Sequence, residues 1–204
     1  IKHIWIKKDE GVADFLMKLK KSISAVEKKY VILADNDDLI DEAQLIANTK
    51  IMEQKRIDFG VCKSFRFIHS KSRISFTELK VYPFKASSNS DAFSNLMQSV
   101  NSFPSDYIYY GIIKKEILSP IIDRMAAGSL NYWIFYESGI TYGLSLHATQ
   151  TSLLEPFLYR EGQTVGNAVK ILDKEAFTNL IFDENFYDSF QSLVNVVCDN
   201  VSVI

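Results

Sequence analysis

The sequence lacks the cysteine content of disulfide-rich and zinc-binding proteins and the long apolar runs of membrane proteins. It contains only 2 cysteines among 204 residues. Because Cys62 and Cys198 belong to no CxxC or Cys/His cluster, neither a disulfide framework nor a zinc site is expected. No apolar run approaches the roughly 18 to 20 residues that a membrane helix needs, so no transmembrane segment is expected.

Charge and short motifs exclude several further classes of protein. The 23 lysines and arginines against 25 aspartates and glutamates give a net charge of −2, which points to no nucleic-acid partner. The sequence lacks the GxGxxG, P-loop, GxSxG and HExxH motifs of the commonest dinucleotide-binding proteins, NTPases, hydrolases and zinc proteases. It also lacks internal repeats and linkers rich in proline or glycine, so nothing requires a second, separate domain.

The composition that is present is typical of a soluble globular protein, with 47% hydrophobic and 24% charged residues. Residues 1–10 carry lysine and aspartate where a signal peptide would be apolar. A cytoplasmic location is therefore expected, with peripheral attachment to a membrane left open. Because the first residue is Ile1 rather than Met, the chain is expected to be part of a larger polypeptide.

The order of hydrophobic patterns predicts an α/β fold. From Gly11 to Lys29, apolar residues recur at three- and four-residue steps, which predicts an amphipathic helix. The apolar run from Tyr30 to Ala34 predicts a strand buried on both faces of a parallel sheet. The polar residues 35–38 end this strand, and a second helix is predicted from about Asp41 to Lys55. This alternation of helix, strand, acidic turn and helix is an α/β layout.

The rest of the chain predicts further strands and helices in a less regular order. Strands are predicted at residues 57–69, 74–82, 107–113 and 151–159, the first two as a hairpin or meander. Helices are predicted at residues 92–100, 114–127 and 133–146 and, as a pair, after residue 173. Because proline lacks an N–H and disturbs a helix interior, the helix at 114–127 is expected to break at Pro120.

The acidic turn, Asp35-Asn36-Asp37-Asp38, carries the chemistry that the residues themselves suggest. An extended backbone would point Asp35 and Asp37 to one side, at the carboxyl end of a strand, where open α/β sheets bind ligands. Mg²⁺ and Mn²⁺ accept one or two carboxylates and complete their shells with water and phosphate oxygens. The turn thus suggests metal-assisted handling of a diphosphate. The alternative is that its aspartates only end the strand and cap the next helix.

Residues 29–40, KYVILADNDDLI, resemble the kYvvlaDDDD segment, the DXD motif, of GT-A type glycosyltransferases related to glycosyltransferase family two. The resemblance implies a GT-A-like three-layer sandwich with a mixed central sheet and C-terminal helices. It also implies metal-dependent transfer of a sugar from a nucleotide-sugar donor to an acceptor hydroxyl, with inversion. In this family the motif holds Mn²⁺ or Mg²⁺ on the donor's phosphates. Asp35, Asn36 and Asp37 would then bind the donor, and Asp37 and Asp35 the metal.

The same resemblance implies a catalytic base further along the chain. An inverting transfer needs a carboxylate that takes the proton of the attacking acceptor hydroxyl. Glu137 falls where the family carries this base, although the family's Glu-Asp pair is Glu-Ser here. The alternative for Glu137 is an ordinary solvated carboxylate on a helix.

Other candidates have weaker support. Some GT-A enzymes recruit a late histidine as a metal ligand, for which His147 is the candidate, although a lone histidine is more often structural. Tyr107, Tyr109, Tyr110 and Trp133 are candidates for stacking on the acceptor sugar. Three arginines could pair with a pyrophosphate or be ordinary surface residues: Arg66, Arg124 and Arg160.

The resemblance also sets the expected domain boundaries. Residues 1–160 are expected to form a GT-A-like core, and residues 161–204 a C-terminal helical extension packed on the same domain. Only 34 residues precede Asp35, so the first two strands of the GT-A fold are expected to be missing.

Two alternatives from other functional classes stay open at this stage. A haloacid-dehalogenase-like phosphohydrolase also places a DxD pair after a buried strand, with Asp35 as nucleophile and Asp37 as acid. The residues after this pair do not offer the Gly-Thr or similar pair that such enzymes carry. A noncatalytic interaction module would keep a GT-A-like scaffold without the half that binds the donor.

Overall fold

The part of the chain that the computed structural model describes is an α/β fold with two four-stranded sheets. It comprises residues 9–35, 38–62, 65–70, 73–78, 94–97, 110–148, 150–161 and 182–198. The helices are α1 (Val12–Ala25), α2 (Glu42–Lys55), α3 (Lys115–Ala127), α4 (Trp133–His147) and α5 (Phe186–Cys198). The strands are β1 (Tyr30–Ile32), β2 (Leu39–Ile40), β3 (Phe59–Cys62), β4 (Phe65–Ser70), β5 (Arg73–Glu78), β6 (Ile112–Lys114), β7 (Gln150–Leu154) and β8 (Leu158–Glu161).

The first sheet is mixed and has the order β1-β6-β3-β7. Strand β6 lies antiparallel to both β1 and β3, and β3 lies parallel to β7. The core is built on this sheet, where Phe59, Ile112 and Ile113 are fully buried. The first predicted strand differs from its prediction, because the pairing found for β1 is antiparallel and its residues are only half-buried. A continuous apolar run indicates apolar neighbours, but it carries no information on strand direction.

The second sheet has the order β2-β8-β4-β5. The predicted hairpin is confirmed, since β4 and β5 pair antiparallel from Phe65 opposite Glu78 to Ser70 opposite Arg73. Two predicted strands, 57–69 and 151–159, are each divided, so that β3 and β7 belong to the first sheet and β4 and β8 to the second. Between β7 and β8 lies Pro156, which has no N–H to donate to a sheet ladder.

The helices follow their predictions more closely. Of the two aspartates available as a cap for α2, Asp38 and Asp41, it is Asp41 that caps the helix, because its Oδ1 accepts the backbone N–H of Gln44 at 3.0 Å. Helix α3 is continuous through Pro120, which corrects the predicted break. The reason is that buried side chains on both sides of the proline, Leu118 and Ile121, hold the helix against the core despite the lost hydrogen bond.

Helix α5 is the described part of the C-terminal region, and it packs against α3 and α4. The fully buried Ser189 ties it to the segment between those helices. Its hydroxyl donates to the carbonyl of Ser129 at 2.9 Å and accepts the N–H of Asn131 at 3.1 Å. Residues 162–181 lie outside the described residues, so the first of the two predicted C-terminal helices cannot be compared. No helix in the described ranges has the length and apolar character needed to cross a membrane.

A buried amide connects α2 to the segment that joins the two sheets. Asn48 is fully buried in α2, and its Nδ2 donates to the carbonyl of Glu155 at 2.7 Å. Its Oδ1 accepts the N–H of the same residue at 3.2 Å. Nearby, the N–H of Asp41 donates to the carbonyl of Phe157 at 2.8 Å. These bonds hold the start of β8 against α2.

The buried amide yields a stability prediction. Asn48→Ala leaves both backbone groups of Glu155 without their partner, so we expect the free energy of unfolding to fall by about 2 kcal/mol. Urea denaturation followed by circular dichroism measures this change. The control is Gln54→Ala on the exposed side of the same helix, which should change stability by less than about 0.5 kcal/mol. Equal effects of the two substitutions would contradict the role assigned to Asn48.

Candidate functional site

The acidic turn meets two other segments because of how the strands pair. Strand β6 lies beside β1, which brings Tyr110, just before β6, next to Asp35, just after β1. Strand β2 pairs with β8 so that Leu39 is opposite Tyr159. Continuing that antiparallel register by one step puts Arg160 opposite Asp38. Three segments that are distant in sequence therefore converge at the end of β1.

The side chains at this point form one hydrogen-bonded cluster. The Oδ2 atom of Asp35 accepts the Tyr110 hydroxyl at 2.8 Å and Nη2 of Arg160 at 2.5 Å. The Nε atom of Arg160 lies 3.5 Å from Oδ1 of Asp38. The Oδ2 atom of Asp38 accepts the backbone N–H of Asp35 at 3.0 Å. We call these four residues, Asp35, Asp38, Tyr110 and Arg160, the acidic-turn cluster.

The two carboxylates of the cluster have different surroundings. The side chain of Asp38 is 1% exposed, whereas that of Asp35 is 49% exposed and that of Arg160 is 21% exposed. The guanidinium carbon of Arg160 lies 3.8 Å from the centre of the Tyr110 ring, a cation–π contact. Asp38 is therefore the inner carboxylate that holds the turn and the arginine. Asp35 is the outer one, with half of its side chain open to a ligand.

The beginning of α4 lies close enough to this cluster to be affected by its charge. Burial raises the pKa of Tyr136, and the negative charges of Glu137 and Asp35 raise that pKa further. The ring of Tyr136 packs edge-on against Phe15, with 5.0 Å between centroids. Trp133, one turn earlier, is 45% exposed and also packs against Phe15.

The structure brings some predicted site residues together and separates others. Asp35 lies in the acidic-turn cluster, and Trp133 and Glu137 lie in the first turns of α4. His147 is at the opposite end of that helix, about 15 Å along the axis from Glu137 at 1.5 Å per residue. The remaining candidates lie outside the described residues: Asn36, Asp37, Tyr107 and Tyr109.

Two members of the cluster were not distinguished by sequence reasoning. Arg160 was one of three arginine candidates for a pyrophosphate contact, and Tyr110 was a candidate for stacking on the acceptor sugar rather than a partner of Asp35. Of the other two arginines, Arg66 lies in β4 and Arg124 in the last turn of α3. The signal that separates Arg160 from them is the pairing of β2 with β8, which no periodicity in the sequence reveals.

The donor set of the cluster suits a hard cation that keeps part of its own hydration shell. Asp35 offers carboxylate oxygens beside solvent, and Mg²⁺ or Mn²⁺ needs only one or two such ligands when phosphate and water supply the rest. No group of three or more histidine, cysteine, aspartate or glutamate side chains is gathered for a metal among the described residues. Asp35 therefore fits a metal that also takes phosphate and water oxygens.

Comparison with other proteins adds no assignment. No family model matches the chain, and no curated protein matches it.

The difference between the two carboxylates gives a prediction. Asp38→Ala removes the buried partner of both Arg160 and the Asp35 N–H, so we expect a loss of about 3 kcal/mol in unfolding free energy. Asp35→Ala removes a half-exposed carboxylate, so its cost should be about 1 kcal/mol. Urea denaturation of both variants provides the measurement. A larger loss in Asp35→Ala would reverse the assignment of inner and outer carboxylates.

A close approach of two strands places Tyr110 and gives a second prediction. A Cβ at Gly111 would lie 2.5 Å from the carbonyl oxygen of Gly60 and 2.6 Å from the Phe59 ring. Gly111→Ala should therefore push β6 from β3 and lower the unfolding free energy by about 1–3 kcal/mol. Gly128→Ala is the control, since its nearest neighbour would be 3.5 Å away. Thermal unfolding measures both, and an unchanged melting temperature in Gly111→Ala would contradict the close contact.

Proposed function

We propose that this chain is part of a cytoplasmic, metal-dependent glycosyltransferase of the GT-A type. It transfers a sugar from a nucleotide-sugar donor to an acceptor hydroxyl with inversion. The observation that carries the proposal is the half-exposed Asp35 carboxylate, held at the end of β1 by the buried Asp38 and flanked by Arg160. The resemblance of residues 29–40 to the DXD segment supports the same function. The mixed order of the first sheet agrees with a GT-A-like core.

The proposal assigns the donor's diphosphate to the acidic turn. Asp35 would hold Mn²⁺ or Mg²⁺, together with Asp37 and Asn36 as the family motif implies. When bound, such a metal neutralises charge on the departing nucleoside diphosphate. The inner carboxylate of Asp38 keeps the backbone of the turn in place by accepting the N–H of Asp35. In this proposal Asp35 binds the metal, and Asp38 holds the turn in position.

The acceptor side of the reaction is assigned to the beginning of α4. Trp133 and Glu137 are four residues apart on this helix, so their side chains emerge on the same face. An exposed aromatic ring suits stacking on a sugar, and a carboxylate beside it suits removal of the hydroxyl proton. Tyr136, whose pKa is raised by burial and then by the charges of Glu137 and Asp35, packs on the same Phe15 ring as Trp133. His147, at the other end of α4, has no such support from the described contacts.

The test is metal-dependent binding of a panel of nucleoside diphosphates, read as a thermal shift. Saturation at about 100 Kd stabilises a fold by about 2.7 kcal/mol, enough to raise the melting temperature by several degrees. We expect one nucleotide to produce this shift with Mn²⁺ and to lose it with a chelator. Asp35→Asn should abolish the shift. Asp123→Asn, an exposed carboxylate on α3, should leave it unchanged.

A phosphatase assay and the negative outcome of the thermal-shift test separate the alternatives. Hydrolysis of an aryl phosphate that is lost in Asp35→Asn would replace the transferase with a phosphohydrolase. No thermal shift with any nucleotide, in a protein that is folded by circular dichroism, would refute the proposed donor site and favour the noncatalytic module.

A further inference from the structure

The guanidinium of Arg160 already occupies the space between the two carboxylates of the acidic-turn cluster. Its Nη2 donates to Asp35 at 2.5 Å, and its Nε lies 3.5 Å from Asp38. The acidic turn therefore already contains a cation, the guanidinium of Arg160. Any divalent ion that approaches Asp35 meets a positive charge within a few ångströms, and two cations at that range repel.

The position of Arg160 is built by the fold. Its backbone lies opposite Arg66 in the parallel pairing of β8 with β4, and the two residues before it pair with β2. The start of β8 is held by the Phe157 carbonyl, which accepts the N–H of Asp41. Its side chain is only 21% exposed and lies on the ring of Tyr110. An arginine that is free on the surface would have neither the stacking nor the fixed register. The contact with Asp35 is therefore a defined feature of the folded chain.

Arginine and metal would compete for one carboxylate. The Oδ2 atom of Asp35 accepts both the Tyr110 hydroxyl and the Arg160 guanidinium. A metal ion that binds either oxygen of Asp35 lies close to the guanidinium, and the repulsion between the two cations favours displacement of the arginine. The guanidinium, once displaced, is suited to pair with phosphate oxygens, which it can bind with two parallel hydrogen bonds.

We propose that Arg160 is the resident counter-cation of Asp35, and that a divalent metal binds there by displacing the guanidinium, which then pairs with the phosphate of an incoming ligand. The inference rests on the proposed metal and diphosphate site. Its consequence is that metal and nucleoside diphosphate each increase the affinity of the protein for the other. The metal replaces the guanidinium at Asp35, and the phosphate gives the displaced guanidinium a new partner. Such coupling is reciprocal and typically reaches fivefold or more.

The experiment measures Mn²⁺ affinity in the absence of nucleotide by isothermal titration calorimetry. Arg160→Gln removes the competing charge, so we expect it to bind Mn²⁺ alone at least about fivefold more tightly than the wild type. Arg124→Gln removes the same charge from α3 and should match the wild type. In Arg160→Gln, uridine or guanosine diphosphate should bind more weakly and should no longer tighten Mn²⁺ binding. Unchanged or weaker Mn²⁺ binding by Arg160→Gln would overturn the inference.

Two further variants keep the outcomes distinct. Arg160→Met retains an apolar stem that can pack on Tyr110, and it replaces Arg160→Gln if the latter does not fold. Asp35→Asn should lose Mn²⁺ binding, since it removes the ligand itself. Mn²⁺ binding that depends on Asp35 but not on Arg160 refutes only this inference. Absence of Mn²⁺ binding in every variant, with and without nucleoside diphosphate, refutes the inference and the proposed function together.

Discussion

The pairing of the short strand β2 with β8 is the constraint on which the acidic turn depends. Only two residue pairs form it, yet it sets Arg160 opposite the buried carboxylate of Asp38. A buried carboxylate without a cationic partner is costly, so Asp38 depends on this position of Arg160. The amide of Asn48 and the capping residue Asp41 support the pairing from α2. One edge of a small sheet thus determines the charge distribution around Asp35.

Local features of the fold could be predicted from the sequence, whereas pairing partners could not. The cap of α2 at Asp41, the β4–β5 hairpin and the extent of α4 depend on neighbouring residues, and periodicity detects them. The antiparallel neighbour of β1 and the division of two predicted strands between the sheets depend on segments far away in the chain. A local signal can also mislead, as at Pro120, where tertiary packing keeps the helix continuous through a residue that usually breaks helices.

In the candidate site, too, the local feature could be predicted from the sequence and the long-range contacts could not. Asp35 could be found because its position after an apolar run is a local pattern. Its partners could not, because Tyr110 and Arg160 lie 75 and 125 positions away in the sequence. Charge type alone did not distinguish Arg160 from Arg66 or Arg124. What distinguishes it is a register that exists only after both sheets have formed.

That sequence separation has a consequence for how the chain folds. Contacts between distant residues close long loops, so they form late and slow the folding of the domains that depend on them. The contact between Asp35 and Arg160 spans most of the chain, whereas α2 and the β4–β5 hairpin close locally. Partial opening of the β2–β8 edge would disperse the acidic-turn cluster while the first sheet stayed intact. A molecule could then keep its core and its helices and yet have no assembled site.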